Sequence, residues 1–460
     1  MVSISEEIAA FALSDLSIPD EVVTLARLHF LDTMGVAVAS SGFEFATAIS
    51  RAAARLGSGA EAHAIGTGQS LPAPSAALVN GVLAHGLDYD DTHIAAIYHA
   101  SAAAFASALA AGEATKASGA AVLEAYIVAL EGGCRLALAA NGEFHDRHLH
   151  PTSLCGPFAA ACAAARLYGM KHDELSNALG LCGSLAGGIL ELDGSWMKRL
   201  HPGWAAHSGL SAAAMGRAGF KGPRLVFEGP HGFFNAHLGR QPDREILLAG
   251  LGRNWELMGL AIKPYPCCHF IHAFADAAIE LRETPGFDVQ AVARIDAPLS
   301  QRLHHLVYQP ADKKRAPQSE YDALFSVPYV IGLALVKGKV DVAGFYDGDL
   351  ANPAVLDIAS KVTCTFDDKS DFPAHFPGEV RIEMVDGTRH VLRKAQSRGT
   401  PGLRLTEAEI LEKFRSNVAR ELPAGQMEKL ERLALDIGTV ADVSSMVAVT
   451  KHRLQGVAAE

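Results

Sequence analysis

The sequence predicts a mainly α-helical protein in which a smaller α+β unit interrupts a larger helical one. Three features of the 460-residue chain lead to this prediction. Apolar residues recur at helical spacing to about residue 260, strand-like alternation follows only after Pro264, and a helical pattern returns at Thr406. The predicted domains are a helical domain at 1–263, an α+β domain at 264–395, and a helical part at 396–460 that packs back on the first.

The helical part is predicted from turn signals and small residues. Pro19, Asp20 and Glu21 open the clearest helix, because proline and acidic side chains suit a first helical turn. Aromatic residues make up only 7% of the chain, which favours closely packed helices over a sandwich of strands. Connections containing Gly, Pro or Asn separate further helices, predicted near 44–57, 73–86, 99–113, 118–140, 153–168, 172–186 and 203–217.

The inserted unit is predicted from alternating segments. Strands are expected at Ala291–Ala297, Lys361–Phe366, Val380–Met384 and Arg389–Leu392. Asp386-Gly387 between the last two strands is a hairpin signal. Helices are expected near 268–283 and 320–336. Thr406 followed by Glu409 is typical of a capping box that starts the returning helix.

The composition excludes several classes of protein. Hydrophobic residues make up 49% and charged residues 20% of the chain, so it should bury a core rather than remain disordered. The formal net charge of −11 disfavours binding to nucleic acid or to an anionic membrane. An anionic substrate would then need a local pocket of Lys, Arg and His.

Cysteine usage and the amino-terminal sequence indicate a cytoplasmic protein. The 7 cysteines are scattered without a CxxC pair, which is typical of reduced thiols. The first residues, MVSISEEIAAFALSDL, are acidic where a targeting peptide would be basic. Apolar runs such as Ala95–Ala111 are interrupted by polar residues, so we expect packed helices and no membrane span.

The first candidate site segment lies near one predicted helix end. Its polar residues are His85, Asp88, Asp90, Asp91, Thr92, His93 and His99. Burying them would be costly unless they pair with one another or with a ligand, which favours a catalytic role. The spacing of Asp88, Asp91, His93 and His99 also fits a metal site. A third interpretation is that the two adjacent aspartates cap the next helix in contact with water.

Three histidines precede the helix expected at 153–168. His145 and His148 are expected in a solvent-exposed loop. His150 stands directly before a Pro-Thr-Ser helix start, whose free N–H groups can hold an anion. The sequence predicts that a carboxylate docks there beside His150.

The third segment supplies local positive charge. Lys198, Arg199, His201 and His207 surround a helix start predicted at Pro202-Gly203. A lysine desolvated by the Trp and Met before it could have a lowered pKa, or it could stay charged and bind carboxylates. The alternative interpretation is a basic surface turn.

The fourth segment, Lys263–His272, lies at the predicted domain boundary, where ligand sites are common. Cys267 and Cys268 are adjacent and cannot readily close a tetrahedral zinc site with His269 and His272, so no metal is expected. No GxGxxG follows a predicted strand, and the sequence lacks GxxxxGK[ST] and GxSxG motifs. Dinucleotide, nucleotide and serine-hydrolase functions are therefore unsupported.

Longer sequence segments carry a family resemblance. They are LDTMGVAVA at 31–39, NGVLAHGLDYDDTH at 80–93, HPTSLCGPFAAACAAARL at 150–167, MKRLHPGWAAHSG at 197–209, KPYPCCHFIH at 263–272 and ALFSVPYVIGLAL at 323–335, followed by VDGTRH and LTEAEILEKF. In this order they resemble the MmgE/PrpD family over nearly the whole chain. The resemblance implies a large all-helical domain with a smaller α+β lid domain, usually in a homodimer. It also implies an active site between the domains, with neither metal nor organic cofactor.

The resemblance implies a set of site residues by position. They are Asp88, Thr92, His99, His150, Lys198 and His272, with Tyr308 as a candidate from the lid domain and Arg199 as a further candidate contact to substrate. Between Thr92 and His99 this chain reads HIAAIY, where relatives often carry a Trp and a differently spaced His-Pro.

Each implied residue has an expected role. Lys198 and His150 would hold substrate carboxylates. His99 or His272 would be the general acid or base, with an unperturbed pKa near neutral pH. Asp88 would orient a neighbouring histidine, and the Thr92 hydroxyl would hydrogen-bond the substrate.

The family includes 2-methylcitrate dehydratase, cis-aconitate decarboxylase and iminodisuccinate epimerase. Each acts on a carbon next to a carboxylate, and so must stabilise an enediolate-like carbanion and move a proton. The first expectation is a 2-methylcitrate dehydratase-like hydro-lyase acting on a small polycarboxylate. A cis-aconitate decarboxylase and an epimerase are the alternatives within the family. A non-catalytic helical binding protein and a metal-dependent hydrolase using the Asp88–His99 cluster are the alternatives outside it.

Overall fold

The computed structural model describes residues 2–192 and 194–452. These residues fold into two compact units. The first contains those within Met1–Gly86, Asp90–Leu260 and Thr406–Glu460, and the second contains those within Leu87–Tyr89 and Ala261–Leu405. Helices predominate and the strands are short, so the mainly α fold predicted from the sequence is confirmed.

The first unit is built from helices. Before the second unit these are α1 (Ile4–Leu13), α2 (Asp20–Ser40), α3 (Glu44–Ala53), α4 (Ala73–Ala84), α5 (Ala100–Thr115), α6 (Gly119–Ala140), α7 (Glu143–Asp146), α8 (Pro151–Leu167), α9 (His172–Leu185), α10 (Met197–Arg217), α11 (Phe233–Leu238) and α12 (Arg244–Leu248). The accompanying strands are β1 (Ala62–His63), β2 (Ser70–Leu71), β3 (Thr92–His93) and β4 (Leu260–Ala261).

Helix α2 begins where the sequence predicted. Pro19 is its N-cap, and Asp20 and Glu21 occupy the first turn. By length and composition this helix could span a membrane, since it has 21 residues and its most apolar window has a mean hydropathy of 1.4. That window is 78% buried inside the protein, where α2 packs against α4, α5 and α6. Such burial is typical of a core helix.

Small residues allow α10 to pack closely on α4 and α8. A Cβ atom on Gly81 would lie 2.6 Å from the Cα of Gly203, and a Cβ on Gly156 would lie 2.7 Å from the Cβ of Ala205. These distances leave no room for a side chain, so glycine is required at both crossings. The close packing brings His201 on α10 to the start of α8.

Helix α10 starts earlier than the sequence predicted. A start at Pro202-Gly203 was wrong, because the helix runs from Met197 with Pro202 inside it. An interior proline removes a backbone hydrogen bond and costs about 3 kcal/mol, which the packing of α10 on α4 and α8 offsets. Lys198 and Arg199 therefore lie in the first helical turn.

The second unit combines short helices with a four-stranded sheet. Its helices are α13 (His272–Arg282), α14 (His304–Val307), α15 (Ala311–Arg315), α16 (Glu320–Leu324), α17 (Val327–Lys337), α18 (Ala343–Tyr346) and α19 (Pro353–Ser360). Its strands are β5 (Val292–Asp296), β6 (Val362–Thr363), β7 (Gly378–Met384) and β8 (Arg389–Lys394), in the order β6-β5-β7-β8. Strand β6 is parallel to β5, and the other two pairings are antiparallel.

The β7–β8 hairpin has the turn that the sequence predicted. Asp386 Oδ1 accepts a hydrogen bond from the Thr388 N–H at 2.8 Å, and Gly387 has a φ of +86°. Glycine is required there because other residues rarely adopt this conformation.

Two predicted elements of the second unit were too long. The helix expected at 320–336 is split into α16 and α17, because the Ser326 hydroxyl accepts a hydrogen bond from the Tyr329 N–H and caps a new helix. The strand expected at 361–366 is confined to β6. Beyond it, the pairing continues only as an isolated parallel bridge between Leu299 and Phe366, with the Leu299 N–H donating to the Thr365 carbonyl oxygen at 2.9 Å.

The carboxyl-terminal helices belong to the first unit. They are α20 (Glu407–Val418), α21 (Ala424–Leu435) and α22 (Ser444–Val449). Thr406 and Glu409 form the capping box that the sequence predicted. Helix α20 packs on α2, where Lys413 Nζ lies 2.8 Å from Asp32 Oδ1 in a buried ion pair.

Candidate active site

The buried carboxylate of Asp90 orients His85. His85 is the C-cap of α4, and its Nδ1 lies 2.8 Å from Asp90 Oδ1. An ionised carboxylate only accepts hydrogen bonds, so it places the proton of a neutral His85 ring on Nδ1 and leaves Nε2 as an acceptor. That Nε2 is buried and has no hydrogen-bond partner among the described residues. It is therefore suited to accept a proton or a hydrogen bond from a ligand.

His99 lies against His85. It is the N-cap of α5, and its ring centroid is 4.6 Å from that of His85. His99 Nδ1 is 3.1 Å from the carbonyl oxygen of Asp91 and 3.6 Å from Asp90 Oδ2. A proton on Nδ1 suits both acceptors, so Nε2 is again the nitrogen with the lone pair in the neutral ring.

Asp91 caps α5 from a buried position. Its Oδ1 accepts a hydrogen bond from the Ser101 N–H at 3.1 Å, and its Oδ2 lies 2.6 Å from His29 Nδ1. The capping interpretation is therefore correct for the hydrogen bond of Asp91. It was wrong about contact with water, because Asp90 and Asp91 are both buried. The network fixes the backbone carbonyl that orients His99.

A second pair of histidines lies beside the first. His150 is the N-cap of α8, and its Nδ1 lies 2.8 Å from Nδ1 of His201. The His150 ring centroid is 6.0 Å from that of His99 and 6.2 Å from that of His85. Burial, followed by the neighbouring His201 and Lys198, holds the pKa of His150 well below its usual value. Burial also lowers the pKa of His201 to about 4. The four rings, called the histidine cluster below, therefore include two imidazoles that stay neutral at pH 7.

Lys198 and Arg199 have different surroundings. Lys198 is half-buried, and its charge contributes to lowering the pKa values of His150 and His201. Arg199 is buried, and its Nε donates to the Gly86 carbonyl oxygen at 2.7 Å. Its guanidinium also lies over an aromatic ring, 4.7 Å from the centroid. The interpretation as a basic surface turn is therefore wrong for Arg199, which supports the turn after α4.

The loop before α8 matches its predicted exposure only in part. His148 is exposed, as predicted. His145 is half-buried, and burial followed by the nearby Lys198 lowers its pKa to about 4. The expectation of an exposed His145 was wrong, because the loop folds back towards the start of α10.

Thr92 is buried in β3. Its Oγ1 has no hydrogen-bond partner within residues 2–192 and 194–452. A buried hydroxyl that makes no hydrogen bond costs free energy. A bound ligand would remove that cost, which is the role predicted for Thr92.

The second unit contains a buried ion pair between Lys263 and Asp88. Lys263 Nζ donates to the carbonyl oxygen and to Oδ1 of Asp88, at 2.7 and 2.9 Å. Asp88 has a φ of +50°, a left-handed conformation that is uncommon for a residue other than glycine. The two hydrogen bonds from Lys263 stabilise that conformation. The carboxylate that orients His85 is Asp90, and the role of Asp88 in orienting a neighbouring histidine stays a prediction.

His272 does not have the near-neutral pKa that was expected of it. Its Nε2 lies 3.1 Å from the carbonyl oxygen of Cys267, and its ring centroid is 4.6 Å from that of His269. Burial, followed by the nearby His269 and Lys263, holds the pKa of His272 well below its usual value. Burial and Lys263 lower the pKa of His269 to about 3. Both rings are therefore neutral hydrogen-bonding groups at pH 7.

Tyr308 lies in the apolar core of the second unit. Its hydroxyl accepts a hydrogen bond from Arg315 at 3.2 Å. The guanidinium also lies 6.0 Å from the tyrosine ring centroid. These contacts position the ring within the unit, and its contact with substrate stays a prediction.

Three residues that form or support the histidine cluster were placed in candidate site segments by the sequence but received no individual role. They are His85, Asp90 and His201. A histidine at a helix end followed five residues later by an aspartate is a usable signal, because the turn can return the carboxylate to the ring. The pairing of His201 with His150 was not predicted, because α10 was expected to start one residue after His201.

His85, Asp90 and His99 also have the composition of a metal site. Each offers one ligand atom, and these atoms lie within 4.8 Å of one another. Two imidazoles and a carboxylate suit a divalent transition-metal ion. The same side chains already form hydrogen bonds that orient both rings, which suits proton transfer without a metal.

Comparisons with known proteins agree on one family. The profiles of the MmgE/PrpD N-terminal and C-terminal domains match residues 3–245 and 265–437. The cis-aconitate decarboxylase of Aspergillus terreus strain NIH 2624 is 26% identical over 455 residues, which cover 94% of this chain and 92% of that protein. The human cis-aconitate decarboxylase is 28% identical, with coverage of 83% and 80%. The 2-methylcitrate dehydratase of Cupriavidus necator is 25% identical, with coverage of 69% and 67%.

Proposed function

Because the chain belongs to the MmgE/PrpD family, we propose that it is a lyase acting next to a carboxylate of a small polycarboxylic acid. The relatives named above are lyases, and the activity is supported at that level. The observation that carries the acid–base mechanism is the buried histidine cluster, in which Asp90 orients His85. Oriented imidazoles in a low-dielectric site can accept and return protons at a fixed carbon atom.

Substrate binding requires positive charge that the whole molecule lacks. The net charge is −11, so carboxylates must be attracted locally. Lys198 lies near His150 and His201, as its effect on their pKa values indicates. The start of α8, where His150 is the N-cap, adds backbone N–H groups that favour an anion. Lys198 and His150 are therefore the proposed carboxylate-binding residues.

Proton transfer is assigned to His85 and His99. Each ring has a hydrogen-bonded Nδ1 that fixes its orientation, and Nε2 of His85, which has no hydrogen-bond partner among the described residues, is placed to exchange a proton with the substrate. Asp90 stabilises the imidazolium that forms when His85 accepts a proton, because their oxygen and nitrogen are 2.8 Å apart. The Thr92 hydroxyl is a proposed hydrogen-bond donor to the substrate.

Decarboxylation is the first specific reaction that we propose. The bond between a carbon and its leaving carboxylate breaks, carbon dioxide departs, and the electron pair is delocalised towards a remaining carboxyl group. His85 or His99, in its imidazolium form, then protonates the resulting carbanion. The extent of the sequence matches favours this reaction. The matches to the two decarboxylases above cover 94% and 83% of this chain, whereas the match to the dehydratase covers 69%.

Dehydration is the second candidate, and it was the first expectation from the sequence. A base removes a proton from the carbon next to a carboxylate, and an acid protonates the hydroxyl group that leaves as water. The cluster offers two oriented rings that could divide these tasks. The 2-methylcitrate dehydratase relative supports testing this reaction beside the first.

Proton NMR of the purified protein in D₂O with EDTA tests both reactions and the remaining alternatives. Separate samples receive cis-aconitate, 2-methylcitrate, citrate and an iminodisuccinate stereoisomer. Itaconate formed from cis-aconitate would establish decarboxylation, and new vinyl signals from a citrate would establish dehydration. A change of stereoisomer with deuterium uptake would establish epimerisation instead. Folded protein that is silent in every sample would contradict the proposed substrate class and favour a non-catalytic binding protein.

A further inference from the structure

The contact between His150 and His201 is an unusual hydrogen bond between two imidazole rings. The two Nδ1 atoms are 2.8 Å apart, and both rings are buried. The ring centroids are 4.9 Å apart. At this distance one Nδ1 must carry a proton and the other must accept it, because two lone pairs or two N–H groups would repel each other.

The two rings share one proton in their neutral state. Burial lowers the pKa of both rings, and the charged or titratable groups that add to this effect are Lys198, His85 and His145. With both rings neutral, a proton on Nδ1 of His150 leaves its Nε2 as an acceptor. A proton on Nδ1 of His201 instead makes Nε2 of His150 a donor. The protonation of His201 therefore determines what His150 offers to a ligand.

The surrounding backbone holds both rings in place. The His150 N–H donates to the Gly188 carbonyl oxygen at 3.0 Å. A Cβ added to Gly188 would lie 3.3 Å from Cδ2 of His201 and 2.5 Å from the Cβ of Ser153. Nε2 of His201 is buried without a hydrogen-bond partner in the described part of the chain. Among the described residues, no group at Nε2 of His201 opposes a proton on its Nδ1, so His201 can donate from Nδ1 to His150.

We propose that His201 is a positioning residue, whose Nδ1 sets the tautomer that His150 presents to the substrate. The inference rests on the proposed function, in which His150 binds a substrate carboxylate. When a carboxylate is bound, His201 donates from Nδ1 to His150, and His150 donates from Nε2 to the carboxylate. When the site is empty, the pair can adopt the opposite tautomers: the shared proton is then on Nδ1 of His150, the Nε2 proton of His150 is lost to solvent, and a proton from solvent binds Nε2 of His201, so the net charge of the pair does not change.

Two substitutions of His201 separate positioning from packing. In His201→Leu the side-chain volume is largely kept and the hydrogen bond is lost. In His201→Asn the volume is smaller, but the amide can still donate to or accept from His150. A positioning role predicts that kcat falls roughly 10- to 100-fold in His201→Leu and is largely rescued in His201→Asn. A packing role predicts the reverse order, because the asparagine variant leaves a cavity and a polar group in the core.

The matched control is His148→Asn, which changes an exposed histidine of the loop before α8. Its φ of +58° suits asparagine, so its kcat should equal that of the wild type. A kcat in His201→Leu at or above that in His201→Asn would overturn the proposal.

Nitrogen NMR of the wild-type protein labelled with ¹⁵N-histidine tests the pair without any substrate. The shared proton should give a measurable coupling between the two Nδ1 nuclei, and citrate should shift the His150 Nε2 signal towards its protonated value. Absence of the coupling would overturn the inference even if the protein turns over cis-aconitate. A coupling found in a protein that is inactive on all four substrates would instead leave the pair intact and contradict the proposed function.

Discussion

Asp90 and His85 form a buried carboxylate–imidazole pair, with Oδ1 and Nδ1 2.8 Å apart. An exposed pair of the same kind joins His375 and Asp371, with Nδ1 and Oδ2 2.6 Å apart. In that pair the side chains are 56% and 53% exposed. The two pairs have similar local geometry, so the difference between them is desolvation. A carboxylate has a stronger effect on an imidazole where water does not compete.

Asp90→Asn should lower turnover by roughly 10²- to 10⁴-fold, because the amide no longer fixes the tautomer of His85 or stabilises its protonated ring. The measurement is kcat on whichever substrate the NMR assay identifies. The control is Asp371→Asn, which should retain wild-type kcat because the pair is on the surface. Equal kcat values in the wild type and both variants would remove His85 from the mechanism.

Lys198→Ala should raise KM and lower kcat/KM by at least roughly 100-fold, since it removes a carboxylate-binding charge. The unfolding temperature should stay nearly unchanged, because the side chain is only half-buried. Loss of this charge should also raise the pKa values of His150 and His201, which moves the pH profile upward. Lys221→Ala, on an exposed lysine, is the control. A wild-type KM in Lys198→Ala would end the proposed role.

The free energy of unfolding should decrease as the pH is lowered from 6.5 to 4, and the buried histidines should account for part of this decrease. His201 has a pKa lowered from 6.5 to about 4 in the folded protein. The unfolded chain therefore binds more protons than the folded one in this window, and stability decreases as the pH falls. Between pH 7 and 5, the unfolding temperature of His201→Asn should fall by less than that of the wild type. His148→Asn should follow the wild type, and equal slopes in all three proteins would show that His201 does not contribute.

The sequence predicted the helical architecture from periodicity and turn chemistry that act locally. Pro19 and the Thr406–Glu409 capping box are local signals, and both are found where predicted. The start of α10 was missed because tertiary packing at Gly203 overrides the interior Pro202. His150 was recognised from its place before a helix, whereas its partner His201 is 51 positions away in the chain. A pairing of that kind depends on the crossing of α8 and α10, which no local pattern encodes.

Lys263→Met should destabilise the second unit by about 3–5 kcal/mol, because it leaves the Asp88 carboxylate buried without its ion-pair partner. The double variant Lys263→Met with Asp88→Asn should recover part of this loss, since no buried charge remains. Unfolding midpoints in urea measure the difference. Lys361→Met removes a partly exposed pair with Asp357 and should change stability by less than about 0.5 kcal/mol. Equal midpoints for Lys263→Met and Lys361→Met would contradict a stabilising role for the buried pair.

Turnover should be unaffected by chelation. His85, Asp90 and His99 could together bind a transition-metal ion, but such an ion would occupy the lone pairs that the proposed mechanism uses for proton transfer. Added Zn²⁺ should therefore inhibit, and EDTA should restore the original kcat. Asp90→Asn should weaken this inhibition, because it removes the carboxylate ligand, whereas Asp371→Asn should not. If EDTA abolished activity and Zn²⁺ restored it, the cluster would be a metal centre, and the assignment of His85 and His99 as proton-transfer groups would be wrong.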